Sequence, residues 1–300
     1  MQDLPEFLKP RPDAPVLVHP PQGEVLPLVC DSPHSGTAYP ADFGCCLPLQ
    51  LLRRGEDSLV QQLWETFPEH GATLIEATFP RTYIDPNREE GDINPAMLDG
   101  PWPEPLTPSV KTQQGLGLIW EKISQAGKAT PMYDRKLSVA EVQQRIERYW
   151  RPYHAALAQA IRWSVDRFGG VWHINLHSMP SDVFVRLGQP ERQLADFVLG
   201  DRDGTTCDPA FIRLIGETLQ SQGYSVAYND PYKGVALIGR IGQPEYQRHS
   251  LQIEINRRIY LDEDTREPSA NFAQVQQHLQ EVMRVVAQHV REQMQYLPRS

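Results

Sequence analysis

Gly169-Gly-Val-Trp-His-Ile-Asn-Leu-His-Ser178 is the stretch of sequence that decides the fold class. A glycine pair ends the preceding segment, and the mostly apolar run that follows predicts a buried strand over residues 171–176. Upstream, the capping-box pattern Ser138-Val-Ala-Glu141 predicts a helix to about Phe168, with Pro152 kinking or breaking it. A long helix that leads directly into a buried strand is typical of α/β proteins.

The same alternation of helix and strand continues on both sides of this stretch. Strand-like runs occur at residues 25–30, 73–78, 224–228 and 250–260, and helical periodicity occurs at residues 57–67, 209–222 and 271–294. This alternation predicts a layered α/β domain. Residues 1–26 are rich in proline and predict an extended N-terminal arm. Residues 91–131 form a long irregular excursion, and loops of this length often cover binding sites.

Composition and charge lower the expectation for several function classes. The 300 residues carry a formal net charge of −9, with 38 acidic against 29 basic side chains, and no block of Lys and Arg stands out. We therefore expect no nucleic-acid partner. The apolar runs are too short to span a bilayer, and the N-terminus has no apolar signal core, so we expect a cytoplasmic protein without a membrane partner. The sequence does not indicate an oligomeric state.

Two histidines follow strand-like runs and predict a metal site. His34 lies in Asp31-Ser-Pro-His-Ser-Gly36, and His177 ends the run that opens this section. Side chains at strand ends converge in α/β sheets, so two imidazoles can reach one ion. Zinc suits such ligands, although other divalent ions accept the same set.

The third protein ligand of the predicted metal site is open between two neighbours. A catalytic zinc usually takes three protein ligands and keeps one position for water. Asp57 is the preferred candidate, and Glu56 is its alternative. Both residues begin a predicted helix, where a carboxylate is also favoured by the helix dipole alone.

Glu254 is the candidate general base. It lies in Leu251-Gln-Ile-Glu-Ile-Asn256, where alternation gives it a polar face together with Gln252. A half-exposed sheet would explain the same pattern. Facing a cleft, this carboxylate could instead take a proton from an attacking water and pass it to a leaving amine.

Arginines around one loop are candidates for binding a substrate carboxylate. Arg81 and the pair Asn87-Arg88 frame the segment around Asp85-Pro86, and Arg257 follows Glu254 closely. A planar guanidinium grips a carboxylate through two parallel hydrogen bonds, which is the reason for preferring arginine here.

Taken together, these segments resemble the N-formylglutamate amidohydrolases, the deformylases that hydrolyse N-formyl-L-glutamate to formate and L-glutamate in histidine degradation. The matching stretches run in family order: Asp31–Gly36, Arg81–Arg88, Tyr153-His154, Leu176–Ser181, Val198–Asp208, Asn229–Gly234 and Leu251–Glu263. The family in turn resembles the zinc carboxypeptidases. The resemblance implies a zinc-exopeptidase-like fold, a single three-layer α/β/α domain around a mixed sheet, over residues 27–300.

The resemblance also implies a role for each candidate residue. The zinc ligands would be His34, Asp57 and His177, the base and later acid would be Glu254, and the substrate-binding set would be Arg81, Asn87, Arg88 and Arg257. Asn175 departs from the family, because an aspartate is common at this position before the histidine. Two alternatives stay open: hydrolysis of another N-acyl amino acid or short acidic peptide, and a non-catalytic ligand-binding protein on the same scaffold.

Overall fold

A computed structural model describes residues 5–9, 14–125 and 128–297 of the chain. The strands are β1 (Val16–His19), β2 (Leu28–Ser32), β3 (Thr73–Ala77), β4 (Lys122–Gln125), β5 (Lys128–Pro131), β6 (Val171–Met179), β7 (Phe197–Gly200), β8 (Val226–Tyr228) and β9 (Arg248–Asn256). The α-helices are α1 (Leu49–Leu52), α2 (Val60–Leu63), α3 (Val110–Gln113), α4 (Val139–Arg145), α5 (Arg151–Phe168), α6 (Val183–Arg186), α7 (Pro209–Ser221), α8 (Ala236–Ile241) and α9 (Phe272–Met294).

Seven of these strands form one mixed sheet, in the order β1-β3-β2-β6-β9-β7-β8. Strands β3, β2, β6 and β9 are parallel, β1 is antiparallel to β3, and β7 is antiparallel to β9 but parallel to β8. The pair β4 and β5 makes a separate two-stranded sheet. The predicted α/β fold around a mixed sheet is thereby confirmed.

A hydrophobic core lies on each face of the sheet, because alternate residues of the central strands point to opposite sides. Trp172, Ile174 and Leu176 of β6 pack with apolar residues of α2, α7 and α9 on one face. On the other face, residues of α4 and α5 pack over β2 and β3. The helices therefore form a layer on both sides of the sheet, which is the three-layer arrangement that the resemblance implied.

Part of the predicted N-terminal arm belongs to the sheet. Strand β1 pairs with β3 in antiparallel register, with Val16 opposite Ala77. Prolines at positions 15 and 20 flank this strand, and proline is tolerated at a sheet edge because no ladder hydrogen bond is needed there. The same prolines removed the periodicity from the sequence and made the strand look like irregular chain.

The helix predicted from Ser138 to Phe168 is continuous but changes its winding. Helices α4 and α5 are joined by the π-helical turn Ile146–Trp150, and Pro152 lies in the first turn of α5. Proline has no N–H and clashes with the turn before it, and the wider π-helical turn accommodates it. The sequence had predicted a kink or break at this point. Around residues 57–67 the prediction was too long: Leu59 has φ +64°, and only α2 is α-helical there.

The excursion over residues 91–131 lies against the loop that follows β3. The Asp85 amide donates to the Leu118 carbonyl (2.8 Å), and the Leu118 amide donates to the Asp92 carbonyl (2.7 Å). The excursion thus forms one wall beside the predicted site. None of the helices in the described part of the chain combines the length and apolar character needed to cross a membrane.

Candidate active site

The predicted site residues meet at the carboxyl ends of the parallel strands. His34 follows β2, His177 lies near the end of β6, and Glu254 lies opposite His177 in the register of β6 and β9. Adjacent strands are about 4.8 Å apart, so register alone brings His177 and Glu254 together on one face. The alternation that makes one side of each strand apolar leaves these polar side chains on the other.

Three of these residues form a buried cluster with the donor set of a metal site. His34, Asp57 and His177 each offer one ligand atom, and the three atoms lie within 4.8 Å of one another. Asp57 Oδ2 is 2.9 Å from His177 Nδ1 and 3.4 Å from His34 Nδ1. Two imidazole nitrogens and one carboxylate oxygen are a typical ligand set for a catalytic zinc.

Asp85 orients His34 for this role. His34 Nε2 donates to Asp85 Oδ1 at 2.8 Å, which leaves Nδ1, 3.4 Å from Asp57 Oδ2, without a proton. Burial alone would raise the pKa of Asp85, but His34 and Arg88 lower it below its usual range. Metal-binding histidines commonly donate their second N–H to a carboxylate in this way. Sequence analysis missed this role, although Asp85 opens the motif that contains Asn87 and Arg88.

His177 has a partner for either tautomer. With the proton on Nδ1 it donates to Asp57, and Nε2 then accepts from Asn87 Nδ2 at 2.7 Å. With the proton on Nε2 it donates to Asn175 Oδ1 at 2.7 Å. In the second tautomer, the lone pair of Nδ1 faces Asp57 Oδ2 at 2.9 Å. A cation bound by both atoms would stabilise this arrangement.

Asp57, and not Glu56, faces the two histidines. Glu56 accepts from Tyr39 Oη (2.8 Å) and Arg53 Nε (3.2 Å), and it is absent from the cluster. Of these two acids, only Asp57 belongs to the cluster. Burial would raise the pKa of Asp57, but the charge of Arg81 and the neighbouring imidazoles of His177 and His34 lower it well below its usual range.

Arg257 occupies a different place from the one predicted. Its guanidinium is 1% exposed and donates to Asp57 Oδ1 at 2.9 Å and to Ser178 Oγ at 3.0 Å. These bonds fix the carboxylate of Asp57 so that Oδ2 faces the histidines. The sequence could not reveal this partner, because Asp57 and Arg257 are 200 positions apart.

Arg81 lies at the edge of the cluster. Its Nη1 donates to His34 Nδ1 at 2.8 Å, its Nε donates to the Gly55 carbonyl, and it stacks over the ring of Trp120. An ion held by His34 Nδ1 would displace Nη1 from that atom.

Glu254 has the environment of a proton-transfer group. Only 7% of its surface is exposed, and its Oε1 accepts from Gln252 Nε2 at 2.7 Å. Burial, together with the negative charge of Asp57, raises its pKa to about 7, although His177 acts in the opposite direction. A carboxyl group with a pKa near neutrality can both accept and return a proton at physiological pH.

Asn87 and Arg88 lie on the loop between β3 and the excursion. Arg88 Nε donates to the Leu116 carbonyl (2.9 Å), and its Nη2 is 3.9 Å from Asp85 Oδ2. Asn87 Oδ1 is buried without a hydrogen-bond partner among the described residues. A buried amide oxygen without a partner is costly unless a ligand supplies a donor, so this atom fits contact with a substrate N–H.

Two further groups around the cluster were not identified from the sequence. Asp31 joins His173 Nε2 (2.9 Å) and Asn175 Nδ2 (2.9 Å), and it also accepts from the Tyr153 hydroxyl. Tyr232 has its pKa raised by burial and by the nearby charge of Glu254. Both belong to stretches that carried the family resemblance, but only the fold brings them to the site.

Comparison with known proteins points to one family. The family model described as N-formylglutamate amidohydrolase matches residues 26–261. The N-formylglutamate deformylase of Pseudomonas aeruginosa is 30% identical over 243 residues, which cover 79% of this chain and 83% of that protein. The N-formylglutamate deformylase of Pseudomonas putida is 26% identical over 254 residues, with the same two coverages of 79% and 83%.

Solved structures agree with these sequence matches. The N-formylglutamate amidohydrolase of Ralstonia eutropha JMP134 is 57% identical with a TM-score of 0.90, and the match covers 93% of this chain and 99% of that one. A gene product of Agrobacterium tumefaciens is 18% identical with a TM-score of 0.61, and the match covers 93% and 96% of the two chains. The second likeness extends to the fold alone.

Proposed function

Because the chain belongs to the N-formylglutamate amidohydrolase family, we propose that it hydrolyses N-formyl-L-glutamate to formate and L-glutamate in a zinc-dependent reaction. The observation that carries this proposal is the cluster of His34, Asp57 and His177 with Glu254 in register beside it. The same family resemblance assigns the reaction to histidine degradation.

The residues of the cluster fit a zinc ion. His34 and His177 would each bind through Nδ1, and Asp57 through Oδ2, because their other polar atoms are engaged by Asp85, Asn175 and Arg257. Bound zinc would supply a Lewis acid that polarises the formyl carbonyl and lowers the pKa of water. These outer partners fix the ligand geometry.

Glu254 would transfer the proton. Its carboxylate would take one proton from the attacking water as oxygen bonds to the formyl carbon. It would then deliver that proton to the amide nitrogen as the C–N bond breaks, so that glutamate leaves with a free amine. The pKa of about 7 suits both transfers, because neither the acid nor the base form is strongly favoured at neutral pH.

Arg81, Asn87 and Arg88 would hold the substrate. Arg88 would bind a substrate carboxylate through the N–H groups of its terminal nitrogens, and Asn87 Oδ1 would accept from the amide N–H. Arg81 would direct its positive charge at the carbonyl oxygen, where negative charge develops during attack. Each contact fixes the amide relative to Glu254.

The first experiment measures glutamate release from N-formyl-L-glutamate by untreated, chelator-stripped and zinc-restored protein. We expect turnover that disappears on stripping and returns with zinc. Turnover that survives complete removal of metal would overturn the zinc dependence. No turnover by zinc-loaded protein would overturn the substrate, and other N-formyl and N-acetyl amino acids would then identify the acyl substrate. Binding of such compounds without turnover would favour the non-catalytic alternative.

A further inference from the structure

Lys111 is a further cation near Arg88, and no contact described above involves its ammonium group. Lys111 lies on α3, in the excursion that forms a wall of the site, and its side chain is half-buried. Within residues 5–9, 14–125 and 128–297, no acceptor lies at hydrogen-bond or ion-pair distance from its Nζ. A half-buried ammonium without a counter-ion is unfavourable, so its place in the fold requires a reason.

Hydrogen bonds tie α3 directly to Arg88. The Leu116 amide donates to the Lys111 carbonyl (2.8 Å), and the Leu116 carbonyl accepts from Arg88 Nε (2.9 Å). One residue, Leu116, therefore connects the backbone of Lys111 to the side chain of Arg88. The two cations belong to the same wall of the site.

A second set of bonds fixes the other side of α3. Asp92 accepts from Ser109 Oγ at 2.8 Å and from the Thr112 hydroxyl. A Cβ at position 117 would collide with the Thr112 hydroxyl and the Asp92 carbonyl, so only glycine permits this close approach. The helix that presents Lys111 is thus held rigidly although it is short.

The charges around Lys111 are mostly positive. Burial lowers its pKa, and the positive charges of Arg88 and then Arg81 lower it further, while Asp85 acts in the opposite direction. Asp85 is already engaged by His34 and Trp120. Three cations therefore lie close enough to influence one another in a chain whose net charge is −9. A group of cations on one wall is suited to a ligand with more than one negative charge.

We propose that Lys111 binds the side-chain carboxylate of the substrate while Arg88 binds the α-carboxylate. This inference rests on the proposed function, because N-formyl-L-glutamate carries two carboxylates. The α-carboxylate is closer to the reacting amide, and Arg88 adjoins Asp85, the partner of His34. Lys111 lies on the helix that Leu116 connects to Arg88, so the longer arm of a substrate held by Arg88 would extend toward it. Lys111 thus sets the preference for an acidic side chain.

The test compares two substrates on three proteins. The substrates are N-formyl-L-glutamate and N-formyl-L-glutamine, which differ in the charge of the side chain but hardly in its shape. The proteins are the wild type, Lys111→Met, and Lys136→Met as a control at an exposed lysine. Zinc content is measured in each. Losing one charge-assisted contact should lower kcat/KM for N-formyl-L-glutamate roughly ten- to hundredfold in Lys111→Met, mainly through KM.

The expected pattern is a loss of discrimination and not of activity. Lys111→Met should keep the zinc content and the N-formyl-L-glutamine rate of the wild type, Lys111→Arg should recover part of the preference, and Lys136→Met should match the wild type. Equal losses on both substrates, or unchanged discrimination, would overturn the role of Lys111 and leave the proposed function intact. Absence of wild-type turnover on both substrates would overturn the proposed function, and this inference with it.

Discussion

Glu254 illustrates how a single residue acquires its chemistry from the fold. Burial raises its pKa to about 7, whereas the polar neighbours Gln252 and His177 keep the charged form accessible. Glu254→Gln preserves shape and hydrogen bonding but removes the proton acceptor. We expect zinc to be retained and kcat to fall by about 10² to 10⁴-fold, the usual contribution of a general base. Steady-state kinetics with metal analysis measures both effects.

The matched control for Glu254 is Glu245→Gln, an exposed glutamate just before β9. It should retain the wild-type kcat. Wild-type turnover by Glu254→Gln would exclude Glu254 as the base, and loss of zinc in that variant would show that its effect is structural.

Asn175 stands at a position where the family resemblance implies an aspartate, and its contacts favour the amide. Its Nδ2 donates to both oxygens of Asp31 at 2.9 and 3.0 Å, so a carboxylate here would face another carboxylate in the core. We predict that Asn175→Asp lowers the unfolding free energy by about 2–4 kcal/mol at pH 8, because it buries an uncompensated charge. Urea unfolding at that pH measures the change.

The reciprocal variant separates charge repulsion from a simple loss of packing. In the double variant Asp31→Asn with Asn175→Asp, one amide again faces one carboxylate, so much of the lost stability should return. If the double variant is as unstable as the sum of the two single variants, repulsion between positions 31 and 175 is not the cause.

The sequence predicts a site residue well when its position along a strand is enough to identify it, and poorly when its contacts form only in the fold. His34 and His177 could be identified because a histidine at a strand end has a position that the sequence shows. Asp57 could not be separated from Glu56, since both open the same segment and only the side-chain directions differ. Arg257 was assigned to substrate because its partner Asp57 is remote in sequence. Contacts that depend on long-range pairing were thus the ones that the sequence did not reveal.

At the scale of elements, the π-helical turn between α4 and α5 supports the substrate loop. Trp150 Nε1 donates to the Arg88 carbonyl (3.0 Å), and His154 Nε2 donates to the Pro86 carbonyl (2.9 Å). The rings of Trp150 and His154 also contact each other, with centroids 4.0 Å apart. Widening the helix before Pro152 thus brings two donors to the backbone of the loop that carries Asn87 and Arg88.

Because His154 is buried against this loop, its protonation makes the stability of the protein depend on pH. Burial, and secondarily Arg240, lower the pKa of His154 to about 4, against about 6.5 in an unfolded chain. The unfolded state therefore takes up the proton first. Stability from the neutral imidazole is fully present above pH 6.5 and is lost as pH falls toward 4, by at most about 3 kcal/mol.

We predict that His154→Gln removes this part of the pH dependence. The variant should be less stable than the wild type at pH 7.5, because it loses ring packing, and the difference should shrink as the pH falls to 4.5. Urea unfolding in chelator at both pH values gives the two differences, and His154→Phe should show the same trend. Stability differences that do not change with pH would contradict the assignment.

The elements that the sequence predicted well are those whose stability is local or strongly periodic. Helices α7 and α9 and strands β6 and β9 carry a continuous apolar pattern, and they lie within a few residues of the prediction. Strand β1 was not predicted, because its sequence has no clear strand periodicity and its conformation is fixed by pairing with β3. In place of the π-helical turn the sequence predicted a kink or break. Pro152 shows that a regular α-helical turn cannot form there, but not which backbone conformation replaces it.

At the scale of the whole molecule, the proposed metal site links three distant parts of the chain. Its ligands are contributed by the turn after β2, by the segment before α2 and by the end of β6. An unfolded chain cannot present these groups together, so zinc should bind the folded state selectively and stabilise it. With free zinc at a hundredfold excess over its dissociation constant, the gain is about 2.7 kcal/mol.

That gain should raise the melting temperature of chelator-stripped protein by roughly 5 °C when zinc is restored. His177→Ala should abolish the shift, whereas His278→Ala, at a histidine that contacts Tyr224 outside the cluster, should retain it. Differential scanning calorimetry over a range of zinc concentrations measures the effect. A full shift in His177→Ala would mean that zinc stabilises the protein elsewhere. Because His34 follows β2 and His177 lies on β6, the parallel neighbour of β2, the shift also reports whether these two central strands are paired.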